Sequence, residues 1–475
     1  MMTAAPADST RADFDLVVIG TGEGGSAAAT RCRAAGWRVA IVDDQPFGGT
    51  CALRGCDPKK VLVGAADVVD WVRRMAEHGI DGEVWIDWPA LMRFKHTFTD
   101  PVPGRREQAF EAAGIVSLHG QAAFTEDDRM RVTSPDGSTH ELGARHVLIA
   151  SGATPAPLGI PGEALVRTST DFLSLDTLPS RIAFIGAGYI SFEFAHVAQR
   201  SGAQTTIVGR GAPLRHFDQD LVARLVAHSR DIGVDVRTHS DVTAVEQHGA
   251  GFRVRTRCDA ADAADVTAAA AASGWIDVDL VVHGAGRVPD TARLQLDVAH
   301  VAVDERGAVV VNEFMQSTTN PRVYAAGDCA LPAGSLPLTP VAAHEGLTAA
   351  SNLLHGNRTR PDYRGIPSVV FTVPPLASVG LTEAEARTQG LDVRVKCEDT
   401  ADWFSNRRVH EPAAMYKTIV DEVTDRVLGA HLLGPDAADM INLFTLAVRH
   451  GLTATDLKHM IYAYPTSTSD VSYML

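Results

Sequence analysis

The residues richest in chemistry lie in Gly48-Gly49-Thr50-Cys51-Ala52-Leu53-Arg54-Gly55-Cys56-Asp57-Pro58-Lys59-Lys60. Four residues separate Cys51 from Cys56, a spacing that can close a small redox disulfide. Two-electron exchange through such a pair needs a thiolate, and a free thiol with a pKa of about 8.5 is mostly protonated at neutral pH. A helix starting near Cys56 would lower that value. Lys59 and Lys60 add positive charge, with Lys60 one helical turn beyond Cys56. The alternatives are two zinc ligands or two inert buried thiols. Zinc asks for four ligands, and no second Cys or His pair stands nearby.

The elements that would position this pair begin upstream. Asp15 to Gly20 reads as a buried parallel strand, followed by the turn Gly20-Thr21-Gly22-Glu23-Gly24-Gly25, a helix over Ser26–Ala35, and a strand Arg38–Asp43 closing on an acid. That is the order and length of a dinucleotide-binding βαβ unit. Gly20 permits the tight turn, Gly22 lets the backbone approach a pyrophosphate, and Gly25 allows close helix–strand packing. Asp43 can accept hydrogen bonds from ribose hydroxyls. The plan recurs as strand Arg181–Ile185, turn Gly186-Ala187-Gly188, helix Tyr189–Ser201 and strand Thr205–Val208, which implies two dinucleotides. Ser191 stands where a third glycine is usual and is expected to hold helix and sheet slightly apart. The second unit ends Ile207-Val208-Gly209-Arg210 with Arg215 downstream and no acid, which suits the 2′-phosphate of NADPH. If these arginines are only surface residues, NADH remains open.

The chain has 475 residues, 45 % hydrophobic and 21 % charged, with net charge −15 and no basic run. Its length suggests three domains, and its charge argues against nucleic acid or an acidic membrane as partner. No apolar run approaches the roughly 20 residues of a membrane helix. Met1 to Phe14 lacks the pattern of a secretory signal, so a cytoplasmic location is the expectation. Besides Cys51 and Cys56, the cysteines at 32, 258, 329 and 397 are sparse and without a pairing pattern. Cys32 is expected to pack as a small hydrophobe. His344, His431, His450 and His459 show no metal-ligand spacing, and no metal is expected. Trp403 and Phe404 read equally as core or as substrate-proximal. Residues 259–274 are a low-complexity run, expected as an insert between strands Phe252–Arg257 and Trp275–Val282.

With its cysteine motif and two glycine turns, the chain resembles the class I pyridine nucleotide-disulfide oxidoreductases, the family of glutathione reductase, dihydrolipoamide dehydrogenase and mercuric reductase. More segments carry the resemblance: Ala150-Ser151-Gly152, Gly186 to Glu193, Gly286-Arg287-Val288-Pro289-Asp290, Tyr324 to Asp328, and Leu338 to Ala342. It implies an α/β fold with two Rossmann-like domains, for FAD and NAD(P)H, and a C-terminal α+β dimerisation domain. The boundaries expected are 14–157 for the first FAD segment, 158–287 for NAD(P)H, 288–355 for the return to the FAD domain, and 361–475 for the interface domain. FAD would take Gly20, Gly22, Gly25, Asp43, Gly49, Thr50, Lys60, Ser151, Gly152, Asp328 and Thr339. NAD(P)H would take Gly186, Gly188, Tyr189 as a gate over the flavin, Arg210, Arg215 and Arg287. Cys56 would be the thiolate facing the flavin and Cys51 the thiol that attacks substrate. Glu193 would pair with a lysine of the Pro-Lys-Lys run, with Lys60 taken as the catalytic one.

The resemblance breaks near the C-terminus. Where disulfide reductases carry His-Pro-Thr and a glutamate five residues on, the sequence reads Tyr464-Pro465-Thr466 with Ser469 and then Asp470. Histidine titrates near 6.5 and tyrosine near about 10, so Tyr464 is a hydrogen-bond donor and a poor general base. Mercuric reductases share the tyrosine but end in a vicinal cysteine pair, whereas here the sequence ends Ser472-Tyr473-Met474-Leu475. The leading expectation is an NAD(P)H-driven, FAD-dependent reductase of a small disulfide, working as a homodimer with Tyr464 beside the partner's pair. Reduction of a metal ion or quinone is the alternative. A catalytically idle nucleotide-binding protein is a third, against which the cysteine pair, Lys60 and Glu193 speak.

Overall fold

The computed structural model describes residues 13–258 and 274–475. The leader before Asp13 and the run 259–273 lie outside the described residues, and with them the expected insert. The chain divides into two compact units. One comprises the residues up to Asp57, Thr97–Ala156 and Arg287–Tyr363; the other comprises Pro58–His96, Pro157–Gly286 and Arg364–Leu475.

The first unit is built on a sheet whose strands lie in the order Val116–His119, Val39–Asp43, Phe14–Ile19, Thr139–Ile149, Arg129–Thr133, Gln121–Glu126, with Val323–Ala325 also paired to Thr139–Ile149. Pairings from Val116–His119 through Thr139–Ile149 and on to Val323–Ala325 are parallel; the remaining two are antiparallel. The apolar run Leu16–Ile19 reflects burial on both faces. Val17 and Ile19 enter one core with Ala40, Val42, Val147 and Ile149. Leu16 and Val18 enter another with Ala28, Ala29, Cys32 and Ile41. Cys32 is fully buried, as a small hydrophobe would be.

In the second unit, Asp235–Arg237, Gln204–Val208, Arg181–Ile185 and Leu280–His283 form a parallel sheet in that order. The two βαβ units leave their first strands alike: Gly20 donates to Val42 O at 2.7 Å, and Gly186 to Val208 O at 2.7 Å. An antiparallel sheet, Ser240–His248, Gly251–Cys258 and Gly274–Val278, belongs to the same unit. So does the five-stranded antiparallel sheet Ser368–Val370, Leu376–Gly380, Val427–Leu433, Met415–Asp421, Val393–Asp399. The helix Ala437–His450 buries Ala437, Met440, Ile441, Phe444 and Ala447, one face at helical spacing.

Candidate active site

Cys51 lies inside the short helix Gly49–Arg54, and Cys56 opens the helix Cys56–Arg74. The turn between them is tight: a Cβ on Gly55 would lie 2.8 Å from Thr50 O. Both cysteines are thiols, Cys51 half-buried and Cys56 exposed. Thr339, the first residue of the helix Thr339–His355, brings its Oγ1 to 3.5 Å from Cys56 Sγ. Asp57 Oδ1 stands 4.0 Å from Cys51 Sγ. The hydrogen bond between the two thiols, and next burial, push the Cys51 thiol well above its ordinary range, and Asp57 adds to this. Cys56 stands at the N-terminus of its helix, the end that favours a negative charge.

Three residues along the same helix, Lys59 Nζ meets Glu193 Oε1 at 2.9 Å. Glu193 is fully buried on the helix Tyr189–Arg200, and Phe371 N–H donates to the same oxygen at 2.8 Å. Lys60, named as the catalytic lysine, is exposed, with its Nζ 4.2 Å from the centre of the Phe371 ring. Of the two lysines left open as the partner of Glu193, Lys59 makes the ion pair. Helical phase explains it, because Lys59 shares a face with Leu62, Val63 and Ala66, which are buried.

The first glycine turn suits a dinucleotide. Gly20 has φ +103° and a Cβ there would lie 2.2 Å from Ala150 O, while a Cβ on Gly25 would lie 2.1 Å from Gly20 O. Gly22 caps the helix Glu23–Ala34 without a side-chain acceptor, and a Cβ on it would enter open space. The first-turn amides are thus free to meet a pyrophosphate. Gly49 packs on Gly22, and Thr50 is exposed beside it. Asp43 Oδ2 accepts from Thr21 N at 2.8 Å and Thr21 Oγ1 at 2.6 Å, and Oδ1 from Gln45 N at 3.0 Å, which leaves lone pairs for a ribose. Ser151 Oγ is buried with no nitrogen or oxygen partner among the described residues, and Gly152 follows it with φ +72°. Asp328 is half-buried, and burial holds its carboxyl above the usual range. These residues fit FAD.

At the second turn, Gly188 caps the helix Tyr189–Arg200, again with no side-chain cap, and Tyr189 is 45 % exposed. Ser191 is fully buried, and its Oγ has no partner among the described residues. Its room comes from Gly284, where a Cβ would lie 2.1 Å from that oxygen. Arg210 is 85 % exposed and 3.5 Å from Asp241, and Arg215 contacts His216. Arg287 belongs to the first unit, in the strand Arg287–Pro289 paired with Ala153–Pro155, and hydrogen-bonds Ala153 O.

Comparison with known proteins fits this geometry. Residues 14–346 match the family described as Pyridine nucleotide-disulphide oxidoreductase, and residues 366–474 match its dimerisation domain. The chain belongs to this family. It is 34 % identical to glutathione reductase of Burkholderia cepacia over 457 residues, covering 96 % of each chain. It is 31 % identical to mercuric reductase of Staphylococcus aureus over 462 residues, 96 % of this chain and 80 % of that one. Among solved structures, the HOCl-induced flavoprotein disulfide reductase RclA from Escherichia coli superposes with a TM-score of 0.84 at 28 % identity, covering 97 % of this chain and 99 % of the other. The Cu(II) complex of that reductase superposes at 0.85. As a family member the chain is an oxidoreductase acting on sulfur groups, FAD-dependent, using a pyridine nucleotide. The dimerisation domain indicates a homodimer. No described helix is long and apolar enough to cross a membrane.

In the C-terminal segment, Tyr464 is 82 % exposed. Ser469 Oγ donates to Thr466 O at 2.6 Å, and the Asp470 carboxylate receives the Ser405 hydroxyl. No carboxylate within the described chain is paired with Tyr464. Trp403 packs on Tyr416, whereas Phe404 is 60 % exposed. His431 is buried against Ser378 at 2.6 Å, a structural role. Sequence reasoning missed Arg54, half-buried among the charges of Asp43, Asp44, Arg287 and Asp290; its place between the cysteines was the available signal.

Proposed function

We propose that the chain uses NADPH to reduce a small disulfide through Cys51 and Cys56. The observation that supports this reading is the placement of the cysteine pair, with Cys51 in a short helix and Cys56 opening the next helix, its sulfur 3.5 Å from Thr339 Oγ1. FAD, when bound, supplies two-electron exchange between pyridine nucleotide and sulfur. Gly188 and the first turn of its helix would hold the nucleotide pyrophosphate, with Arg210 and Arg215 on the 2′-phosphate. Cys51, on losing its proton, attacks the substrate disulfide and releases one thiolate, which takes up a proton in turn. Cys56 then attacks the mixed disulfide, releasing the second thiolate and re-forming the Cys51–Cys56 bond. Lys59, neutralised by Glu193, keeps the start of the helix fixed.

A second reading is reduction of a soft metal ion. Tyr464 stands where the disulfide reductases carry a histidine, and electron transfer to a bound metal leaves no departing thiolate to protonate. The relative solved as a Cu(II) complex supports the same reading. Oxidation of the dithiol releases two electrons, enough for two Cu(II) or one Hg(II).

Anaerobic titration tests the common core. One equivalent of NADPH should generate two thiols per chain and a long-wavelength charge-transfer band, and Cys56→Ser should lack that band. A preparation that binds flavin but shows no new thiols refutes the relay. A panel of small disulfides, Cu(II), Hg(II) and quinones then separates the substrates. Cys51→Ser should lose disulfide reduction and keep direct transfer to quinones.

A further inference from the structure

Glu345 is fully buried on the helix that begins at Thr339. Three donors from separate segments converge on its carboxylate. Gly327 N–H donates to Oε2 at 2.7 Å, while Ser335 Oγ and Tyr363 OH donate to Oε1 at 2.6 and 2.7 Å. Among the described residues it has no ion-pair partner. A buried carboxylate held only by neutral donors adds little stability that an apolar side chain would not, so its place in the fold calls for another reason. The segments it joins supply one. Gly327 has φ +77° and immediately precedes Asp328. Ser335 lies in the loop that delivers Thr339 to Cys56. The next residue, Gly346, touches the helix of the first glycine turn, since a Cβ there would lie 2.1 Å from Gly24 O.

We propose that Glu345 is a positioning residue for the flavin: its carboxylate pins the Gly327-Asp328 turn and the loop before Thr339 to the helix packed on the first glycine turn. The acceptor geometry does the work. Glutamine can keep one oxygen on the Gly327 N–H and turn its amide toward the two hydroxyls, which can accept. Alanine leaves the Gly327 N–H buried without an acceptor and frees both hydroxyls. This rests on the assignment of FAD to the first dinucleotide turn.

The test is FAD binding to flavin-stripped protein, followed by quenching of flavin fluorescence and by visible circular dichroism. Apo wild type that does not bind FAD removes the underlying assignment whatever the variants do. With binding established, Glu345→Ala should raise Kd by about tenfold or more, and Glu345→Gln should restore it to within about threefold of wild type. A folded Glu345→Ala protein that binds FAD as tightly as wild type overturns the proposal. Glu345→Gln as weak as Glu345→Ala overturns its hydrogen-bond basis. If Glu345→Ala does not fold, Ser335→Ala with Tyr363→Phe removes two of the three bonds. That double variant should weaken FAD by about fivefold, and unchanged affinity overturns the proposal.

Discussion

Glu411 is 2 % exposed, and its charge is poorly compensated. Oε1 accepts Ala413 N–H at 3.0 Å, but among the described residues Oε2 has only Arg74, 3.4 Å away and outside hydrogen-bond geometry. Burial pushes the carboxyl up to about 7, with Asp70 adding to the rise and Arg74 and Arg200 opposing it. The unfolded chain would titrate near about 4.3, so the folded state binds this proton more tightly. The stability it contributes is complete below the unfolded value and is lost as pH rises through about 7. Glu411→Gln removes that dependence. Urea unfolding at pH 5 and pH 8 should show wild type losing about 2–3 kcal/mol relative to the variant across the interval. Parallel pH profiles for the two proteins would show that Glu411 titrates normally.

The helix Tyr189–Arg200 carries Ser191 where a third glycine usually permits close helix–sheet approach. Gly284, one residue past the strand Leu280–His283, takes its place by leaving room for the Ser191 hydroxyl. Gly284→Ala should therefore cost about 1–3 kcal/mol by overpacking, and Ser191→Gly should relieve most of it in the double variant, although glycine in a helix itself costs about 1 kcal/mol. Thermal melts of the four proteins give the coupling, and strictly additive losses would sink the account. This contact shows what the sequence could and could not convey. Both βαβ units were legible because their strands are apolar on both faces and their turns are punctuated by glycine. Ser191 was visible as a departure, but its compensation lies more than ninety residues away and has no local signal. Lys59 was legible in principle: the phase of Leu62, Val63 and Ala66 points it inward and Lys60 outward. Glu345 was not, since nothing near it in sequence marks three donors arriving from residues 327, 335 and 363.

At the scale of the molecule, the question is whose Tyr464 serves whose cysteines. Residues 366–474 match a dimerisation domain, and in the single chain Tyr464 is 82 % exposed beside Ile461 at 97 % and Met460 at 46 %. Large apolar side chains so exposed in one short segment mark a surface that association would cover. If each Tyr464 works at the partner's pair, complementation between chains follows. Consider a hybrid dimer in which one chain carries Cys51→Ser and the other Tyr464→Phe. A shared site gives one wholly intact centre, built from the second chain's cysteines and the first chain's tyrosine, and one centre lacking both groups. A site confined to one chain gives no intact centre at all. Differently tagged chains, co-expressed and purified by both tags, isolate the hybrid. It should turn over substrate at about half the wild-type rate per dimer, because one of two independent centres survives. Activity no higher than half that of the Tyr464→Phe homodimer would place the tyrosine with its own chain's thiols or outside the chemistry. The comparison holds for a disulfide or a metal ion alike, because it depends only on which chain supplies each group.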